Sequence, residues 1–142
     1  MQCADVMKTG FVSVAPEETA ELAAKRMRDI NVGFLPVCDH EGRVLGTVTD
    51  RDIATRVAAD DRMASSCLIR DIMTTEPVAC RASDDLSRAE ELMIAHQKSR
   101  MLVTTDDGIL QGVFSLSDVA QFEGARRTGA TVRDITSRET RW

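Results

Sequence analysis

Residues 46–52 (GTVTDRD) and residues 112–118 (GVFSLSD) share one pattern. Each begins with a glycine, continues through strand-forming residues to Thr49 or Ser115, and places Asp52 or Asp118 three positions further on. A hydroxyl residue followed at this spacing by an acid is typical of the point where a helix begins. The chain therefore predicts two strand-to-helix junctions of the same design.

An internal duplication extends outward from these two stretches. A shift of 66 positions carries Asp5-Val6-Met7 onto Asp71-Ile72-Met73 and, with no gap, carries the first junction onto the second. Self-similarity at a fixed period indicates a repeated supersecondary unit. We therefore predict a first copy over 1–60, a linker over 61–69, a second copy over 70–123 and a tail over 124–142. Because residues 131–136 echo residues 68–74, the tail either packs as the start of a further repeat or frays.

Each copy is predicted to contain strand, helix, strand, strand and helix in that order. Apolar residues recur at helical spacing after the first strand, and a polar turn with Gly42 or Gly108 closes a hairpin. Neither copy covers both faces of its sheet, so we expect two β-α-β-β-α units packed through their small sheets with pseudo-twofold symmetry, a mixed α/β (α+β) fold. The predicted strands are 11–14, 34–38, the stretch up to 49, 78–80, 101–104 and the stretch up to 115, and the closing helices are 50–59 and 116–123.

The acidic balance of the chain limits its partners. Its 142 residues carry 18 Lys and Arg against 23 Asp and Glu, a net charge of −5, which disfavours nucleic acid as a partner. A single nucleotide remains compatible, because a helix terminus and one or two cations can hold it. No signal peptide or long apolar stretch is evident, so we expect a cytoplasmic protein without membrane contact.

Neither catalysis nor metal binding has a clear signature. The two histidines are scattered, no serine has a nucleophile-elbow context, and no Gly-rich loop contains a lysine, so we predict no enzyme activity and no catalytic cofactor. The four cysteines form no Cys-x-x-Cys pair, which favours reduced, buried structural residues over a metal or redox protein. They are Cys3, Cys38, Cys67 and Cys80.

Together these features resemble tandem cystathionine-beta-synthase (CBS) repeats, also called a Bateman module. The resemblance rests on the two copies in register, their Asp-hydrophobic-Met openings, the Leu35-Pro36-Val37 strand and the two junctions, and it covers about residues 4–123. It implies a regulatory sensor that binds AMP, ADP, ATP, NAD or S-adenosylmethionine in clefts between the repeats. It also implies a homodimer that signals to an unknown effector protein by a conformational or dimer change. The alternative is a structural dimerisation module that binds no ligand.

The junctions also suit a ribose phosphate on chemical grounds. Their glycines lack a Cβ, so a ligand or a second backbone can approach closely. Their hydroxyl residues lie at a helix N-terminus, which suits a phosphate, and the carboxylates of Asp52 and Asp118 can accept hydrogen bonds from both ribose hydroxyls. The same spacing is also that of the capping box, which does no more than start a helix.

Carried over residue by residue, the family pattern implies two different ligand sites. Phe34 stands at the position equivalent to Arg100, so the first site is expected to hold more phosphate charge and the second to be weaker. The second copy also has Leu116-Ser117 in place of Asp50-Arg51, and Leu102 in place of Pro36. The first site would contain Thr49, Asp52, Thr75, Pro77, Val78 and Arg100, and the second Thr9, Phe11, Val12, Ser115, Ser117 and Asp118.

Overall fold

The first eleven residues of the chain fold with the second sequence copy. The computed structural model describes residues 1–122 and 125–137. It divides into a repeat-1 unit, Val12–Pro77, and a repeat-2 unit, which joins Met1–Phe11 to the described residues from Val78 onward. The domain limits that the sequence predicted for the two copies stay a prediction.

The repeat-1 unit is a two-stranded hairpin flanked by helices. Thr49 and Asp50 mark the passage from its closing strand directly into a helix. Apolar side chains from all of its main elements, including Ala23, Leu35 and Ile69, meet in one buried cluster. Its elements are α1 (Ala20–Ile30), β1 (Phe34–Cys38), β2 (Val44–Thr49), α2 (Asp50–Ile53), a π-helical turn (Ala54–Ala58), a 3-10 turn (Ala64–Ser66) and α3 (Ile69–Ile72).

Local signals account for the bounds of α1. Thr19 caps its start, where the side-chain Oγ1 accepts a hydrogen bond from the backbone N of Leu22 at 3.2 Å. Asn31 ends it in the left-handed conformation, with φ of 56°. The predicted apolar face of Ala20, Ala23 and Met27 is buried.

The repeat-2 unit also has a hairpin flanked by three α-helices, and it has one more strand. Its three-stranded sheet has the order β3-β4-β5, with β3 parallel to β4 and β4 antiparallel to β5. Met93, Val103 and Phe114 are among the side chains of its separate core. Its elements are a 3-10 turn (Cys3–Asp5), β3 (Ala79–Cys80), α4 (Leu86–His96), β4 (Arg100–Thr104), β5 (Leu110–Ser115), α5 (Leu116–Ala120) and α6 (Ala125–Thr136). The mixed α+β fold expected from the sequence is confirmed.

The predicted first strand over 11–14 is wrong for all but one residue. Val14 alone forms a parallel bridge with Val37, donating its N–H to the Pro36 carbonyl at 3.0 Å and accepting from the Cys38 N–H at 2.9 Å. The next bond of a parallel ladder would need an N–H at Pro36, which proline lacks. Leu102 occupies the equivalent position in the repeat-2 unit, and there a two-residue strand forms.

The two closing helices are shorter than predicted. The α-helical part of the predicted helix 50–59 ends at Ile53, and the backbone continues as the π-helical turn to Ala58. The predicted helix 116–123 ends at Ala120, residues 121 and 122 form a turn, and residue 123 lies outside the described residues.

The described part of the tail packs as a helix. α6 contacts α4 and α5 within the repeat-2 unit. Ile135 is buried in the core, and Thr131 Oγ1 donates a hydrogen bond to Glu90 Oε2 at 3.1 Å. Residues 125–137 therefore pack and do not fray, and their interpretation as the start of a further repeat stays a prediction.

All four cysteines are buried as free thiols. Burial raises the pKa of the Cys38 thiol, and a hydrogen bond with Cys3 together with burial raises that of Cys80, so both thiols stay protonated and unreactive. In the part of the chain that the structure describes, no three His, Cys, Asp or Glu side chains converge as a metal site requires. Among those same residues, no helix is long and apolar enough to cross a membrane.

Candidate functional site

The junction of β2 and α2 is closed by two reciprocal hydrogen bonds. Thr49 Oγ1 accepts from the backbone N of Asp52 at 3.1 Å, and Asp52 Oδ2 accepts from the backbone N of Thr49 at 2.9 Å. This is the capping box that the sequence allowed as the simpler interpretation, and the structure confirms it. The cap engages Oδ2 of the carboxylate and leaves Oδ1 for other contacts.

The junction of β5 and α5 is built in the same way. Ser115 Oγ accepts from the backbone N of Asp118 at 3.3 Å, and Asp118 Oδ2 accepts from the backbone N of Ser115 at 2.8 Å. The Oγ atoms of Ser115 and Ser117 lie 2.7 Å apart, and Ser115 Oγ also donates to Asp118 Oδ2 at 3.0 Å. Here too the cap uses Oδ2.

Different cations face the remaining carboxylate oxygens. Asp52 and Asp118 are only 9% and 7% exposed, so a nearby positive charge matters to each. Asp52 Oδ1 lies 4.0 Å from Arg56 Nε, whereas Asp118 Oδ1 lies 2.8 Å from Lys8 Nζ. Burial raises the pKa of Asp118, but the hydrogen bonds from Lys8 and Ser115 outweigh burial and hold that pKa below its ordinary value.

A second backbone crosses each junction glycine. Thr74 and Thr47 exchange hydrogen bonds of 2.8 and 2.9 Å, which brings the Thr74 carbonyl against Gly46. Lys8 and Val113 exchange the equivalent bonds of 2.8 and 3.0 Å in the repeat-2 unit. Close approach of another strand, one of the two roles expected for these glycines, is therefore what the structure shows.

Four residues of the first predicted site lie within the repeat-1 unit. Thr49 and Asp52 form the cap, and Thr75 and Pro77 follow Thr74, whose backbone pairs two residues before Thr49. The other two residues predicted for this site, Val78 and Arg100, belong to the repeat-2 unit. Their part in this site stays a prediction.

Five residues of the second predicted site lie in the repeat-2 unit. Ser115, Ser117 and Asp118 meet at the cap, and Thr9 follows Lys8, whose backbone pairs with β5. Phe11 ends the same leading segment, while Val12 belongs to the repeat-1 unit and stays a prediction.

The register of the hairpins adds a contrast between the junctions. Arg100 lies opposite Ser115 on neighbouring strands, and Phe34 lies opposite Thr49. Arg100 was predicted for the site of the other copy, but its backbone pairs with the junction of its own copy.

Two charged residues near the carboxylates were not among the predicted site residues. Arg56 lies four positions after Asp52, and in a helix this spacing brings two side chains to the same face, so the sequence could have identified it. Lys8 is 110 positions from Asp118, and only the shift that aligns it with Thr74 could have pointed to it.

The chain belongs to the CBS domain family. The family profile for the CBS domain matches twice, over residues 3–59 and 69–124, so the resemblance stated from the sequence is confirmed. Among known proteins, the chain is 36% identical over 116 residues to the CBS domain-containing protein YhcV of Bacillus subtilis, covering 82% of this chain and 81% of that protein.

Solved structures of similar fold include two with named ligands. Hypoxic Response Protein I, described with two coordinated zinc ions, is 26% identical at a TM-score of 0.79, with 87% of this chain and all of that chain covered. CBSX2, described in complex with AMP, is 23% identical at a TM-score of 0.73, with 85% of this chain and 94% of that chain covered.

Proposed function

We propose that this protein is a regulatory module that binds an adenine nucleotide, of the AMP, ADP, ATP or NAD type, at its two junctions. In this proposal Asp52 and Asp118 accept hydrogen bonds from ribose hydroxyls, and the Thr49 and Ser115 ends of the helices face the phosphate. The module binds and signals, and it catalyses no reaction.

The observation that carries the proposal is that the two oxygens of each carboxylate have different contacts. One oxygen, Oδ2, holds the cap, while Oδ1 faces a cation that the cap does not require, at 2.8 Å for Asp118 and at 4.0 Å for Asp52. A cap alone needs one acceptor oxygen, which an asparagine could supply. A nearly buried carboxylate whose second oxygen takes no part in the cap is the group that a pair of ribose hydroxyls would use.

Family membership supports adenosine as the ligand class. CBSX2 is described in complex with AMP, and its fold covers most of this chain. The zinc ions of Hypoxic Response Protein I favour no metal function here, since no metal-ligating cluster is found within residues 1–122 and 125–137.

Signalling is proposed to pass from nucleotide binding to a partner protein. A ligand shifts a conformational equilibrium only as far as it prefers one state. We propose that nucleotide binding changes the packing of the repeats or of a homodimer in the cytoplasm, and that an effector protein reads this change.

Isothermal titration calorimetry with AMP, ATP, NAD and S-adenosylmethionine tests the proposal. We expect at least one ligand to bind with a dissociation constant below 1 mM, and we expect Asp52→Asn to weaken the tighter binding event by about tenfold or more, because hydrogen bonds to charged groups contribute about 1.5–3 kcal/mol. Asn keeps the acceptor that caps α2 and removes the negative charge. Asp50→Asn is the matched control, since it removes the same charge from the exposed neighbouring position.

Two results would count against nucleotide binding. One is a failure of all four ligands to bind at millimolar concentration, with no ligand-induced rise in melting temperature; this is the result expected of the structural dimerisation module. The other is an equal loss of affinity in Asp52→Asn and Asp50→Asn, which would show that only net charge matters.

A further inference from the structure

The carboxylate of Asp118 is already engaged by a flexible cation. Lys8 Nζ lies 2.8 Å from Oδ1, the oxygen that the cap leaves available. The Lys8 side chain is 69% exposed, whereas that of Asp118 is 10% exposed. The ammonium can therefore leave this position for solvent or for another anion without any change in the core.

The repeat-1 unit has no equivalent of this ion pair. Thr74 occupies the same place as Lys8, since each pairs its backbone with the strand beside the junction glycine. Among the described residues, the cation within 4.0 Å of Asp52 is Arg56, whose Nη1 donates to the carbonyl oxygens of Ile72 and Met73 at 2.9 and 3.3 Å. These carbonyls hold the guanidinium, so its Nε stays 4.0 Å from Asp52 Oδ1.

This difference gives the two junctions different requirements for a ligand. A ribose that binds Asp118 Oδ1 must displace the Lys8 ammonium, whereas a ribose at Asp52 displaces no close ion pair. Binding of a neutral nucleoside breaks the ion pair of Lys8 with Asp118 and offers the ammonium no new anion. Binding of a cationic ligand adds repulsion between the ligand and the Lys8 ammonium. A nucleoside phosphate offers the displaced ammonium a new anion within reach of its four-carbon side chain.

We propose that Lys8 is a specificity-determining residue that makes the Ser115–Asp118 junction selective for phosphorylated adenosine ligands over neutral or cationic ones. The inference rests on the proposed nucleotide binding, and it assigns to one junction a selectivity that the other lacks.

The test is calorimetry with AMP, adenosine and S-adenosylmethionine on Asp52→Asn, which isolates the repeat-2 junction, and on Asp52→Asn combined with Lys8→Thr. Threonine is the residue that the repeat-1 unit has at this place. We expect the preference for AMP over adenosine to fall by about fivefold or more, because AMP loses a cation and adenosine no longer competes with one. Lys8→Arg should retain the preference, and Lys25→Thr, which removes an exposed lysine of α1, should not change it.

The outcomes separate this inference from the proposed function. If the wild-type protein binds none of these three ligands and neither ATP nor NAD, both are overturned. The inference alone is overturned if AMP binds but the preference for AMP over adenosine changes by less than twofold when Lys8→Thr is introduced. It is also overturned if Lys25→Thr lowers this preference as much as Lys8→Thr does. Loss of all binding in Asp52→Asn would also overturn the inference, because the repeat-2 junction would then bind no ligand of its own.

A measurement without ligand tests the ion pair between Lys8 and Asp118 directly. Carbon-detected NMR titration of the Asp118 carboxylate should show a higher pKa in Lys8→Thr than in the wild-type protein, since the ammonium stabilises the charged form. An unchanged pKa would show that Lys8 does not bind Asp118 in solution and would overturn the inference by itself.

Discussion

Gly46→Ala is expected to destabilise the repeat-1 unit through a clash with a neighbouring backbone. A Cβ at this position would lie well inside contact distance of the Thr74 carbonyl oxygen. Relief requires the backbone of Thr74 to move, which breaks its two hydrogen bonds with Thr47. At about 1 kcal/mol for each of the two hydrogen bonds, plus an overpacking cost of about 1–3 kcal/mol, we expect a loss of about 3–5 kcal/mol.

Two other glycines calibrate this prediction. At Gly112 a Cβ would lie 2.9 Å from Met7 Sδ and 3.0 Å from Met7 Cγ, and it would lie 3.1 Å from the Lys8 carbonyl oxygen. The flexible Met7 side chain can move aside and the Lys8 backbone needs to shift by only a few tenths of an ångström, so Gly112→Ala should cost about 1–2 kcal/mol. At Gly10 a Cβ meets nothing within 4 Å, and Gly10→Ala should stay within about 0.5 kcal/mol of the wild-type protein. Urea unfolding followed by circular dichroism gives the three free energies. The reasoning is refuted if Gly46→Ala loses no more stability than Gly10→Ala.

Two further predictions concern the repeat-2 unit. Because the pKa of Asp118 is lowered in the folded protein, its ionised form stabilises the fold above the ordinary carboxyl pKa of 3.8, and this contribution is lost as the pH falls through the lowered pKa. The difference in free energy of unfolding between the wild-type protein and Asp118→Asn, measured with urea, should therefore be largest near neutral pH and should shrink in acid. A difference that grows in acid would contradict this prediction. Ile135→Ala should lower the free energy of unfolding by about 2–4 kcal/mol, measured by thermal or urea unfolding, because Ile135 is 1% exposed. Val132→Ala, on the exposed side of α6, should change it by less than about 0.5 kcal/mol. Equal effects of the two substitutions would show that α6 does not pack on the core.

Local features of the sequence were sufficient to predict most elements of the fold. The apolar spacing of Ala20, Ala23 and Met27 predicted the buried face of α1, and the polar turns with Gly42 and Gly108 predicted both hairpins, where these glycines have φ of 87° and 83°. Such signals work because each depends on residues within a few positions of one another.

Features that depend on distant partners were harder to predict. The loss of the strand over 11–14 depends on Pro36, which removes a donor from a strand more than twenty positions away. The ion pair of Lys8 with Asp118 forms only because the leading segment folds with the second copy. The sequence identified both carboxylates, but the charge that faces each of them depends on this tertiary arrangement.

The capping box and the ribose site are compatible roles for the same residues. Capping fixes the rotamer of Asp52 through the Thr49 N–H at 2.9 Å, and a fixed carboxylate loses less conformational freedom when it binds a ligand. A neutral acceptor would cap the helix without the desolvation cost of a negative charge on a side chain that is 9% exposed. Asparagine separates the two roles, since it retains the acceptor and removes the charge. Stability retained with affinity lost in Asp52→Asn would therefore assign the charge to ligand binding, and stability lost with affinity retained would assign it to the fold.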